Sequence, residues 1–338
     1  MKAGFALAAA LALIALAACT DERQKQAPSY QGKTVTIIVG YKPGGGYDAM
    51  ARLLARYLPK YIPGKPTVIV QNMPGANSLI AANYVYNAAK PDGLTVGTFN
   101  RNLLLGQLLN VDGVKFDMLR FAWIGSAASE PTILAIRSDL PYKTVEDLKK
   151  AKEPVVVGAT GPGASAYDFP LLLKEFLGLK LKLVSGYSSS ADIMLAVERK
   201  EADARAGSYA SMAPFIARKL VRPIVRSRVA EPAIEKLPVD ENLASNPRAK
   251  AMMALRSAPE VVGRPYVMPP GTPDDAVRIV REAFAKAIAD PAFIAEAGKA
   301  DVSLKYVSGD QALQTMKEVL SQPKDIVDEF RKYVKFGE

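Results

Sequence analysis

The chain has no histidine and only one cysteine, Cys19, in 338 residues. Without histidine there can be no Ser-His-Asp triad, no Cys-His pair and no histidine-based zinc site. With one cysteine there is no thiolate metal cluster and no intrachain disulfide. No cofactor and no metal are therefore expected. Basic residues outnumber acidic ones by 10, which favours anionic ligands or a membrane surface. Yet no basic run is interleaved with aromatics, so a nucleic-acid partner is not expected. The longest apolar run, residues 5–18, is short for a transmembrane helix.

That run follows Lys2 and ends Leu16-Ala17-Ala18-Cys19. It resembles a bacterial lipoprotein signal, in which the peptide is cut before the cysteine and the cysteine is lipidated. Residues 1–18 are then the signal peptide, Cys19 the lipid anchor and residues 19–33 a polar tether. The mature protein is exported. Thr20 rather than an aspartate follows the cysteine, which favours the outer membrane if the Gram-negative sorting habit applies.

What is present is a strand, a glycine turn and a helix. Residues 34–40 read TVTIIVG, short, apolar and β-branched as a buried strand should be. Pro43 and Gly44, Gly45 and Gly46 end it. Met50, Leu53, Leu54, Tyr57 and Leu58 then recur at helical spacing. The turn thus lies at a helix N-terminus, where unpaired N–H groups attract an anion and glycine allows close approach. The same unit returns at residues 155–177, where Gly158-Ala159-Thr160-Gly161-Pro162-Gly163-Ala164-Ser165 separates a strand from an apolar-striped helix. The first hundred residues alternate β and α, the mark of a parallel sheet covered by helices. Residues 121–137, with Pro131 inside, read as a strand leading into a second domain, and residues 222–226 as the return strand. Residues 126–136 and 222–226 would form the hinge. Thr144 and Asp147 suggest a capping box. Residues 274–289 form a strong helix, and shorter ones are expected at 291–297 and 312–320. Residues 231–262 have no readable pattern.

The second turn also fits G-x-G-x-x-[GA]. A dinucleotide site would need an acid at the end of the next strand, but the next one, Asp192, falls inside the following helix. The first turn has the wrong spacing, and neither turn carries a Walker lysine. Nucleotide binding is set aside. Two anion-friendly helix starts instead suit a carboxylate clamped from both sides. Thr160 and Ser165 add hydroxyls, although Ser165 could equally cap its helix. Asp48 and Asp168 fall in first turns, where carboxylates cap their own N–H groups; Asp48 could also orient the glycine loop. Asn100 and Arg101 follow the third strand, where pocket residues gather in open α/β sheets, and Arg101 could pair with a carboxylate. Tyr187, Ser188, Ser208 and Tyr209 follow strands of the second domain in the same way. Tyr41 and Ala164 complete the candidate ligand contacts.

These pieces together resemble the Bug-type extracytoplasmic solute receptors of tripartite tricarboxylate transporters. The resemblance rests on PGGGYDAMAR at residues 43–52, Asn72-Met73-Pro74-Gly75-Ala76, Ala89-Lys90-Pro91-Asp92-Gly93, GATGPGAS at 158–165, Tyr187, MPPGTP at 268–273 and Ala289-Asp290-Pro291. It implies an α/β fold of two domains, a periplasmic-binding-protein (Venus-flytrap, type II-like) architecture with the ligand cleft between them. Residues 34–125 and 227–338 would form one domain and 126–226 the other. It also implies a small organic acid as ligand, held near Gly44, Gly45, Gly46, Thr160, Gly161, Gly163 and Ser165, and permease subunits as membrane partners of a monomeric receptor. Tyr47 stands where such receptors commonly have Thr or Ser, Lys42 where an uncharged residue is usual, Asn77-Ser78 where two glycines are common, and Tyr187-Ser188-Ser189 where Tyr-Lys-Gly is common. These departures suggest an unusual ligand, with Tyr47 and Tyr187 stacking on a ring. The rival readings are an exported enzyme using Asp48, Asp168 or Glu130 as acid or base on an acidic substrate, and a sensory lipoprotein with the same cleft.

Overall fold

The computed structural model describes residues 29–187, 190–299 and 304–334. Cys19, Ser188 and the expected signal lie outside them. Strands β1 (Thr34–Val39), β2 (Thr67–Asn72), β3 (Thr95–Thr98), β4 (Ala122–Ser126), β10 (Pro265–Met268) and β11 (Val307–Ser308) form one sheet in the order β11-β4-β10-β3-β1-β2. Strands β5 (Thr132–Arg137), β6 (Val155–Gly158), β7 (Leu181–Val184), β8 (Ala204–Ser208) and β9 (Val221–Arg226) form the other, in the order β7-β6-β8-β5-β9.

The two sheets share a plan. In each, a central strand pairs in parallel with two neighbours, β1 with β2 and β3, β6 with β7 and β8. An antiparallel strand, β10 or β5, then closes the parallel set. Each of these antiparallel strands enters from the other sheet, β5 through residues 127–131 and β10 through residues 227–264. The repeated strand–turn–helix unit therefore occupies the middle of each parallel set, one strand in from the sheet edge. In open α/β sheets ligands bind beyond the carboxyl ends of such strands.

The helix Gly46–Tyr61 buries Met50, Leu53, Leu54 and Leu58, the stripe read from its spacing, with Tyr57 half-buried. It packs against the helix Asp274–Ile288, whose Val277, Val280, Phe284 and Ile288 all lie in the same core. The capping box at Thr144 and Asp147 is present.

Several expectations need correction. The last residues assigned to the tether are part of the fold: Tyr30 is buried, and its hydroxyl donates to the Gly93 carbonyl at 3.2 Å. Residues 121–137 are two strands in different sheets, divided at Pro131. Residues 222–226 belong to β9, at the edge of the second sheet, where Pro223 is tolerated, and the chain crosses back to the first sheet just after them. The unread region holds a 3-10 turn, Pro232–Ile234, and the helices Asp240–Leu243 and Pro247–Val261, the last capped by Asn246. Arg256, Ser257 and Glu260 on that last helix are buried, which breaks the apolar pattern that would have revealed it.

Those buried polar groups stitch the two crossing segments together. Thr132 donates its hydroxyl to Glu260 at 2.6 Å and its N–H to Ser227 Oγ at 3.0 Å. Arg256 donates to the Thr132 hydroxyl at 3.0 Å and to Glu260, and Ser227 Oγ also donates to Glu260.

Candidate functional site

Each glycine of the first turn has its own reason to be glycine. Gly44 has φ +90°, a left-handed backbone. A Cβ on Gly46 would stand 2.7 Å from Arg264 Nη2. Gly45 is extended, and a Cβ there would meet nothing within 4 Å. As N-cap of the helix Gly46–Tyr61, Gly45 supplies no capping side chain, so the first-turn N–H groups are left to water or a ligand.

Asp48 holds this turn in shape. It is 2% exposed and accepts from Gly44 N–H at 2.9 Å, Arg52 Nε at 2.9 Å and Asn72 Nδ2 at 2.8 Å. Asn72 Nδ2 also donates to the Tyr41 carbonyl at 2.9 Å. The Arg52 guanidinium and the other donors outweigh burial and hold the carboxyl down at about 2. Asp48 is thus a brace for the loop. Beside it an open depression of about 570 Å³ is lined by Tyr41, Gly45, Gly46 and Tyr47 on one side and Pro74, Gly75, Asn77 and Ser78 on the other.

The Tyr47 ring already has partners within the protein. It stacks on Tyr41, with centroids 4.7 Å apart, and the Arg264 guanidinium lies over it at 5.0 Å. Its hydroxyl donates to the Gly263 carbonyl at 3.1 Å and accepts from Arg101 N–H at 3.2 Å. Burial raises its pKa above the usual phenol value. Arg101 is not free either. Its guanidinium pairs with Glu130, which also binds Arg264 at 2.7 Å. Glu130 therefore neutralises only one of two guanidiniums, and the cluster beside the first turn keeps one net positive charge. Asn100 donates to Asn77 Oδ1 at 2.7 Å. The opposite wall is strained: Ala76, Asn77 and Ser78 all have positive φ, at 43°, 52° and 76°. Ser78 Oγ donates to the Gly40 carbonyl at 3.0 Å.

The second turn repeats the first with fewer supports. Gly163 has φ +82°. Its N–H donates to Asp168 Oδ1 at 3.0 Å, as Gly44 does to Asp48. Ala164, not Ser165, is the N-cap of the helix Ser165–Leu177, and it too has no capping side chain. Asp168, 5% exposed, has among the described residues no arginine bonded to it as Arg52 is to Asp48. Burial pushes its carboxyl up to about 7, against the Gly163 N–H and the Arg256 charge. Ser165 and Asp168 share a narrow crevice with Arg101 and Asn102 from the other side of the cleft. Tyr187 lies close over Gly158, and its N–H reaches the Ala159 carbonyl at 3.3 Å. Gly161 is open on its Cβ side. Thr160 accepts through its carbonyl from Gly186 N–H at 3.1 Å. Ser208 is the N-cap of the helix Tyr209–Ala217 and makes no side-chain cap, while Tyr209 N–H is tied to the Pro131 carbonyl at 2.9 Å.

A family model described as the tripartite tricarboxylate transporter family receptor matches residues 50–331. The chain belongs to this family. A curated relative of this receptor, a UPF0065 protein of Bordetella pertussis, is 28% identical over 305 residues, 86% of each chain. Among solved structures, a TctC solute binding protein from Polaromonas superposes with a TM-score of 0.72 at 21% identity, covering 89% of this receptor and all of that chain. MatC from Rhodopseudomonas palustris, solved with bound malate, gives 0.60 at 20% identity, covering 87% and 98%. The receptor has their periplasmic-binding-protein fold.

Sequence reasoning missed Arg264, Asn72 and Asn77 as parts of the site. Arg264 and Asn72 meet the first turn only through long-range folding, 218 and 24 residues from their partners Gly46 and Asp48. Arg205, a buried guanidinium on β8, was not singled out either.

Proposed function

We propose that this receptor captures a small organic acid between its two glycine turns and hands it to the membrane subunits of a tripartite transporter. One observation carries the reading: both central strands end in a turn whose helix starts without a capping side chain, at Gly45 and at Ala164. Two helix starts with free N–H groups favour a negative charge placed between them. The surplus charge of Arg101 and Arg264 over Glu130 has the same sign preference. The bound malate of the similarly folded MatC supports a carboxylate ligand.

Binding without turnover is the better reading of the acids. Asp48 is saturated with donors, and Glu130 is paired with two arginines. The ligand contacts are then backbone N–H groups of residues 45–47 and 165–166, with the Thr160, Ser165 and Ser208 hydroxyls near them. The receptor acts as a monomer in the periplasm, tethered through lipidated Cys19 to the outer membrane. A thermal-shift screen against mono-, di- and tricarboxylates tests the ligand class. An acid at about 100 times its dissociation constant should add roughly 2.7 kcal/mol of stability; no shift with any of them refutes the reading. Membrane retention of a Cys19→Ser variant would refute the anchor.

A further inference from the structure

Arg205 belongs to neither glycine turn. On β8 it pairs with Gly158 of β6 and Ala135 of β5. Ala135 packs in an apolar cluster with Met194, Val197 and Met212. From this apolar face the guanidinium runs towards the carboxyl end of the strand. It passes over Gly207, where a Cβ would stand 2.8 Å from Nη2, and donates to Ser211 Oγ at 3.1 Å in the first turn of the helix Tyr209–Ala217.

The residue is 4% exposed, and its Nε has no partner. Among the described residues no acid pairs with it; burial alone acts on it, lowering its pKa to about 10. It remains a cation at neutral pH. A buried charge without a counter-ion is unfavourable. The other buried arginines differ: Arg256 pairs with Glu260, and Arg226 donates to a set of backbone carbonyls. The helix start beside Arg205 adds charge of the same sign, since it has no side-chain cap. Both features meet at the end of β8, one strand from the β6 turn. What is missing there is an anion.

The geometry points to a second anion subsite, in which Arg205 and the first turn of the helix Tyr209–Ala217 hold one charged end of a ligand whose other end sits at the glycine turns. This rests on the carboxylate reading above and narrows it to ligands with two anionic groups. Arg205 then sets specificity, while the glycine turns supply general carboxylate affinity.

The test is calorimetry on the wild-type chain and Arg205→Met with linear dicarboxylates and the monocarboxylates of equal chain length. Wild type should prefer a dicarboxylate to its monoacid by about tenfold or more, the range for a hydrogen bond to a charged group. Arg205→Met should bring the dicarboxylate down to the level of the monoacid and leave the monoacid unchanged. Its ligand-free melting temperature should hold or rise, because an unpaired buried charge has gone. Unchanged dicarboxylate affinity in Arg205→Met overturns the subsite and leaves the carboxylate reading standing. If no acid of either kind binds wild type, both fall.

Discussion

Gly45→Val separates a turn that binds from a turn that only bends. Gly45 has φ −83° and ψ 169°, a backbone that valine adopts readily. Its Cβ position is open, so nothing in the fold must move. Replacing glycine where the new residue fits reduces the freedom of the unfolded chain and stabilises by about 0.4–1 kcal/mol. The melting temperature of the free protein should therefore hold or rise by a few degrees. The added methyls would stand beside the first-turn N–H groups of the helix Gly46–Tyr61, in the open depression. If a ligand carboxylate sits there, at least one charge-assisted hydrogen bond is lost, worth about 1.5–3 kcal/mol. Affinity should then fall by about tenfold to a hundredfold or more. Calorimetry gives the affinity and differential scanning fluorimetry the stability. Unchanged affinity with an intact fold would refute the ligand role of this turn. Gly44→Val is the contrasting control: at φ +90° it should lower stability by about 1–2 kcal/mol.

The two braces should respond to pH in opposite directions. Asp48, held at about 2, contributes stability that is present above about pH 4 and lost as pH falls towards 2. Asp168, raised to about 7, does the reverse: the fold favours its protonated form, so stability falls as pH rises from about 4 through 7. Asp168→Asn should remove that slope in pH-dependent urea denaturation and stabilise the protein near pH 8 by up to about 4 kcal/mol; a slope retained in the variant would refute the assignment. Ala76→Gly should raise stability by about 1 kcal/mol by relieving a positive φ, and a loss in thermal denaturation would show that the strain is elsewhere. Glu260→Gln should lower stability by about 3–5 kcal/mol, because it leaves Arg256 buried without its counter-charge; an unchanged unfolding midpoint would rule out the stitch between the crossing segments.

The glycine turns were legible because glycine and proline state their backbone needs locally, and the helices 46–61 and 274–288 because their apolar residues recur at helical spacing. Asp48 was legible as a possible organiser of its loop, but its partners were not. Asn72 reaches it from the neighbouring strand, and Arg52 through one helical turn. Arg101 looked like a ligand hook because its position at a strand end is generic; only the fold shows Glu130 already bound to it. Tyr47 invited a stacking role, yet Tyr41 and Arg264 already occupy its ring. Arg205 was illegible for another reason. Asp203, Arg205 and Gly207 alternate with Ala202, Ala204 and Ala206, which in a half-buried strand places the arginine outside. In the fold that face is also covered, and the alternation carries no sign of it. The helix Pro247–Val261 failed for a related reason, as its buried face includes Arg256, Ser257 and Glu260.

The unequal bracing of the two turns has an evolutionary consequence. Asp48, Arg52, Asn72, Tyr41, Tyr47 and Arg264 hold the first turn through one connected set of contacts, so almost any substitution there disturbs several partners at once. Among the described residues, Asp168 holds the second turn through the Gly163 N–H alone, with the Gly186 and Tyr187 N–H groups reaching the Thr160 and Ala159 carbonyls. A lineage adapting to a new nutrient would find most of its tolerated changes on the second sheet. The first turn would remain a fixed socket, and the second sheet would be the part that is retuned.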